Sequence, residues 1–144
     1  MRRIALAIVL VLALAASAAA APSKTTVLKA AYNKDLKATI LVGAGGLTLY
    51  LTTADSASKN SVCTPDPSCR ALWPALKPPV TAGAGVKAAL LGTTADGKQA
   101  TYKHHPLYYW AGPPPDKKPG QDGGENYFQV WFAVSPAGAA VKFR

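Results

Sequence analysis

The sequence predicts an all-β fold: one small domain, sandwich- or barrel-like, built from two related halves that each contain a β-hairpin. Three observations point there. Short runs rich in β-branched and aromatic residues recur between turn signals. Proline and glycine, 12 of each, populate the segments between those runs, where they oppose long helices. A set of aromatic residues then returns at a fixed offset along the chain.

The elements follow in order. Arg2 and Arg3 precede an unbroken apolar run, Ile4 to Ala16, and a small-residue stretch, Ser17 to Ala21. That order is the pattern of a secretory signal peptide. The run of 13 residues is short for a spanning helix, which needs about 20. Cleavage is expected near Ala20, so residues 1–20 form the signal peptide; Ala18 is the second cleavage site and retention as an anchor the other alternative. Two arginines alone are weak support for twin-arginine export. No cysteine lies near the cleavage region, so no lipid anchor is expected there. The chain is therefore read as exported, periplasmic or extracellular, with no transmembrane span after cleavage.

Residues 21–37 form a lead-in with a candidate first strand, Thr25 to Ala31. The domain proper is residues 38–144, with one half at about 38–80 and the other at about 90–140. Ala38 to Val42 (ATILV) reads as a strand, Ala44-Gly45-Gly46 as a turn, and Leu47 to Thr53 (LTLYLTT) as the other arm of a hairpin. Ala54 to Arg70 reads as irregular, and helix is disfavoured by its prolines. Cys69 to Trp73 suits one helical turn ending before Pro74, and Lys87 to Leu91 suits another. Asp96-Gly97 marks a turn. Gln99 to Tyr102 then extends toward Pro106-Leu107-Tyr108-Tyr109-Trp110. Ala111 to Asn126 is the second irregular segment. Gln129 to Val134 (QVWFAV) reads as a strand, and Val141 to Arg144 as a closing one.

Cys63 and Cys69 are the only cysteines. In an exported chain the expectation is a disulfide. It would close a short ring stiffened by Pro65 and Pro67 and fix a loop shape. A metal thiolate pair or a redox dithiol is the rival, and the C-x-x-C spacing of either is absent.

The repeat is specific. Trp73 follows Tyr50 by 23 residues, and Trp131 follows Tyr108 by 23. Trp73-Pro74-Ala75-Leu76 aligns with Trp131-Phe132-Ala133-Val134 at the same offset of 58. The segments GGLTLYLTTAD…C…CRALWPAL and LLGTTADGKQATYKHHPLYYWAG…G…W resemble the bacterial secreted repeat family, whose members carry a tyrosine-x-aromatic-x-x-aspartate motif. The resemblance runs from about Asn33 to Gly138. It implies exported or envelope-attached proteins of unassigned biochemical function, with the repeat present twice and no catalytic residues. Each copy departs from the motif. Tyr50 and Asp55 match, with Thr52 at the aromatic position; Tyr108 and Trp110 match, with Pro113 at the aspartate position. The lipid-bearing cysteine of many relatives is absent.

Candidate chemistry is thin. His104 and His105 are the only histidines, without G-x-S-x-G or H-E-x-x-H nearby. In a strand they would point to opposite faces, one packed and one exposed; only a turn would let them share a metal. Asp116, Asp122 and Glu125 offer oxygen ligands in a glycine-rich loop, but their spacing is not that of an EF-hand and Lys117-Lys118 oppose a cation. That loop is expected to be solvated. The repeated aromatics Tyr50, Trp73, Tyr108, Trp110 and Trp131 either fill the core or line a groove for a sugar, peptide or planar ligand. A Tyr50–Asp55 hydrogen bond across a hairpin loop would account for that pairing.

Charge limits the partners. After loss of Arg2 and Arg3, 14 basic residues face 7 acidic ones, a net charge of +7. Twelve of the 14 are lysines, scattered singly except Lys117-Lys118. Specific nucleic-acid binding is not expected, because it favours clustered arginine. The functional expectation is a non-enzymatic exported module, binding or structural, whose partner is an unspecified envelope component or protein. No metal and no cofactor is expected, and the oligomeric state is open. The alternative is a metal- or haem-linked redox accessory using His104 and His105.

Overall fold

A computed structural model describes residues 20–21, 23–57 and 59–142. Most of the expected signal peptide and the last two residues of the expected closing strand lie outside them. The strands are β1 (Thr26–Asn33), β2 (Ala38–Val42), β3 (Tyr50–Thr52), β4 (Val80–Ala82), β5 (Leu91–Thr93), β6 (Ala100–Tyr102), β7 (His105–Pro106) and β8 (Trp131–Ala133). Among the described residues, one short helix, α1 (Pro67–Leu72), and isolated 3-10 turns join them. The fold is a small all-β domain with three sheets, ordered β2-β1-β4, β3-β8 and β5-β6-β7. Among the described residues, no helix is long and apolar enough to cross a membrane.

Two-residue alternation explains the packing. Ile40–Val42 of β2 and Leu49–Thr52 around β3 are buried on both faces, because each face meets a different core. Leu41, Leu49, Leu51, Leu76, Leu107 and Val134 point into one core. Their neighbours Ile40, Val42, Tyr50, Tyr108 and Ala133 point into the other, around Trp73, Trp110 and Trp131. The aromatic side is thus one half of a continuous double-faced layer.

Several local expectations are corrected. β2 takes β1 as its antiparallel partner, in register from Lys29↔Val42 to Asn33↔Ala38. Asn33 sets that turn, its Oδ1 accepting from Leu36 N at 2.8 Å. β3 instead pairs with β8, and only the Val42↔Thr48 bridge remains of the expected hairpin. Register to β8 wins because it places Tyr50 opposite Ala133, leaving room for the large ring. α1 starts inside the segment read as irregular. Asp66 caps it, accepting from Ser68 N and Cys69 N, and Pro67 occupies the first turn, where its missing N–H has no cost. β8 begins two residues late, because Phe128 and Gln129 adopt left-handed backbone angles of 48° and 59° in φ. Val141 N does bond Ala133 O at 2.8 Å.

Candidate functional site

Residues related by the offset of 58 meet each other in space. Tyr50 N donates to Tyr108 O and Tyr108 N to Tyr50 O, both at 2.9 Å. Tyr50 pairs with Ala133, and Tyr108 with Ala75. Val134 N bonds Leu49 O as Leu76 N bonds Leu107 O. Trp73 stacks on Trp131 with centroids 3.8 Å apart and planes 4° from parallel. Each tryptophan then takes a tyrosine edge-on, Tyr50 against Trp73 and Tyr108 against Trp131. An approximate two-fold axis therefore runs between the two tyrosines and between the two tryptophans.

The tyrosine hydroxyls are exchanged across that axis. Tyr50 donates to Asp116 Oδ2 at 2.6 Å, and Tyr108 donates to Asp55 Oδ2 at 2.5 Å. The expected Tyr50–Asp55 bond is thus replaced by two crossed bonds. Each aspartate also fastens its own loop seven residues on. Asp55 Oδ1 accepts from Val62 N at 2.8 Å, and Asp116 Oδ1 from Gly123 N at 3.0 Å. Asp116 is therefore the counterpart of Asp55, displaced three positions from Pro113 by the proline run. The equal seven-residue reach from each aspartate to its loop amide is visible only in the fold, because Val62 and Gly123 share no residue type that would mark it in the sequence. Pro114 has its own use, its carbonyl accepting from Trp110 Nε1 at 3.0 Å.

Burial dominates the electrostatics. It pushes the Tyr50 and Tyr108 hydroxyls far above the ordinary tyrosine range, with the facing aspartates adding to the shift. Burial also raises Asp55, against the Tyr108 hydroxyl, the Val62 amide and the charge of His105. Ser61 Oγ lies 2.5 Å from the Tyr108 oxygen. The single phenolic proton goes to the carboxylate, so Ser61 donates to Tyr108 in a chain Ser61–Tyr108–Asp55.

All five repeat aromatics are buried, Tyr50 and Tyr108 completely; they build the core, and Trp73 and Tyr108 also line a cleft. Gly112 and Gly124 let the backbone lie against the Trp110 and Trp73 rings, where a methyl group would overlap them. Cys63 and Cys69 form the disulfide. The acidic loop is less solvated than its composition suggests. Asp116 is buried. Glu125 Oε2 accepts from Ala133 N at 2.6 Å, its Oε1 is buried without a partner, and burial pushes its carboxyl up to about 7. Burial likewise raises Asp122, which lines a cleft of about 250 Å³ with Asp35 and Asp116.

The histidines separate. Lys103 and exposed His104, with φ of 46° and 68°, form the two-residue turn between β6 and β7, the left-handed pair that such a hairpin demands. His105 is half-buried in β7, its Nδ1 buried without a hydrogen bond. Among the described residues, no three His, Cys, Asp or Glu side chains converge as a metal-ligand set.

No match was found among curated proteins or among solved structures. Residues 91–135, from the start of β5 to just past β8, match the family model described as a secreted repeat of unknown function, the family that the sequence resembles.

Proposed function

We propose that the protein is a non-enzymatic exported module that binds a component of the cell envelope. The observation that carries this reading is the reciprocal exchange of Tyr50–Asp116 and Tyr108–Asp55. The polar groups of the repeat motif engage one another inside the fold, so the motif serves as a clasp between halves. A catalytic group needs a reacting atom within reach, and these hydroxyls face only their aspartates and neighbouring loop groups. The crossed bonds also support an origin of the two halves by duplication. The disulfide and the secreted-repeat match support export.

With the clasp interior, binding falls to the surface around it, which is lysine-rich and positively charged overall. Co-sedimentation of the purified protein with isolated envelope fractions tests the reading. Retention well above that of an unrelated protein of equal charge is expected. Equal retention of the two would leave only nonspecific attraction and end the proposal.

A further inference from the structure

A cleft of about 160 Å³ opens beside the Tyr108–Asp55 bond, between the disulfide loop and the turn preceding β6. Its volume lies below the roughly 300–1,000 Å³ of sites for drug-sized ligands. It suits one small ring rather than a peptide. Its buried lining residues include Ser61, Cys63, Trp73 and Tyr108.

The rim is cationic. Arg70, Lys77 and Lys98 all line the cleft, and all three are exposed. Arg70 uses one guanidinium nitrogen to hold Thr64 O, which fixes the group and leaves its remaining N–H donors directed elsewhere. The one acidic lining residue is Asp96. Its Oδ1 is already engaged by Thr94 Oγ1 at 2.6 Å and Lys98 N at 3.0 Å. Three cations against one internally bonded carboxylate leave an excess of positive charge. The cleft beside the other tyrosine–aspartate bond has the opposite character, with Asp35, Asp116 and Asp122 and no cation among its lining residues. The two sides of the clasp have thus diverged in charge while keeping the same interior.

We propose that the basic cleft binds a small carboxylate-bearing ring, free or as one residue of an anionic polymer. The carboxylate meets the guanidinium and ammonium groups of the rim through charge-assisted hydrogen bonds. The ring body lies against the Trp73 and Cys63 side of the cleft. This assignment rests on the envelope-binding reading for its biological setting, and on the cleft alone for its chemistry.

Amide NMR of the purified protein tests it, with galacturonate and polygalacturonate as probes and galactose as the neutral control. Galacturonate is expected to shift the Ser61, Lys77 and Lys98 amides saturably. The Lys77→Glu/Lys98→Glu double variant, altered only at exposed positions, is expected to fold normally and to bind at least about tenfold more weakly. If polygalacturonate shifts the same amides, the source is a polymer; if only the monomer does, it is a free acid. Equal shifts with galactose, equal binding of inorganic phosphate, or undiminished affinity in the double variant would each overturn the proposal. Galacturonate binding without retention on envelope fractions would sink the envelope reading and leave the cleft standing. Retention without galacturonate binding would do the reverse.

Discussion

Tyr50 and Tyr108 hydrogen-bond each other through their backbones at 2.9 Å in both directions, while each hydroxyl reaches an aspartate held by the other half. The two halves are therefore not two units packed side by side. Each completes the interior of the other, and neither has a satisfied tyrosine alone.

Removing one hydroxyl should show this. Tyr50→Phe leaves Asp116 buried with only the Gly123 amide as a partner, and Tyr108→Phe leaves Asp55 with Val62. Hydrogen bonds to charged buried groups contribute more than neutral ones, so each change should cost about 2–3 kcal/mol in urea unfolding. Tyr109→Phe is the control, since its hydroxyl accepts one exposed amide, Ala44 N, at 3.0 Å. A cost of about 1 kcal/mol or less is expected there. Equal costs at all three positions would show that the exchanged bonds do not hold the halves together.

Alkaline pH should open the clasp. Both hydroxyls are raised by burial and then by their aspartates, so the folded state retains protons that the unfolded state releases above about pH 10. Stability must then fall as pH rises through that point, by up to about 1.4 kcal/mol per pH unit for each tyrosine. Phenolate absorbance should grow in two stages: exposed Tyr32 first, then Tyr50 and Tyr108 together with loss of circular dichroism. Full ionisation of all six tyrosines before any unfolding would contradict the geometry.

The offset of 58 was legible because aromatic residues are rare and large, and their spacing survives where loops change. The same offset concealed Asp116, because three prolines shift the second aspartate while Trp131 stays in step. The β3 partner was not legible either. LTLYLTT carries leucines on one face and Thr48, Tyr50 and Thr52 on the other, a pattern that names no particular partner strand; only the tertiary fit of Tyr50 over Ala133 selects β8. β4, β5 and β7 are two or three residues long, too short for periodicity to register. The Lys103-His104 turn carries no glycine or asparagine, so the left-handed pair had no local signature. The basic cleft was invisible for a related reason. Arg70, Lys77 and Lys98 are scattered in the chain, and the disulfide loop and the turn before β6 bring them to one rim.

Glu125 should impose a pH dependence in the opposite range from the tyrosines. Burial pushes its carboxyl from 4.5 up to about 7, so the folded state favours the neutral form. Stability is greatest below about pH 4.5 as far as this group is concerned, and falls as pH rises from there to about 7. The group is partly exposed, so the loss should be on the order of 1 kcal/mol. Glu125→Gln keeps an oxygen for the Ala133 amide and removes the charge. The variant should match the parent at acidic pH and exceed it in stability at pH 8. A parent-to-variant difference that does not change between acidic and neutral pH would mean that Glu125 is ionised in the fold.

The Cys63–Cys69 disulfide should matter locally more than globally. It closes a ring with a sequence separation of 6, and chain entropy alone gives such a ring about 2 kcal/mol. Yet Cys63 is buried in the aromatic core, and its amide donates to Ser61 Oγ at 3.0 Å. Val62, one residue earlier, donates to Asp55. Cys63→Ser/Cys69→Ser should therefore lower stability by about 2 kcal/mol and selectively speed hydrogen exchange at Val62, Cys63 and Thr64. Exchange at Gly123 and Gly124, beside the other tyrosine–aspartate bond, should change only by the global loss. Uniform acceleration across both loops would mean that the two sides of the clasp open as one unit, with the disulfide no more tied to the Tyr108 side than to the other.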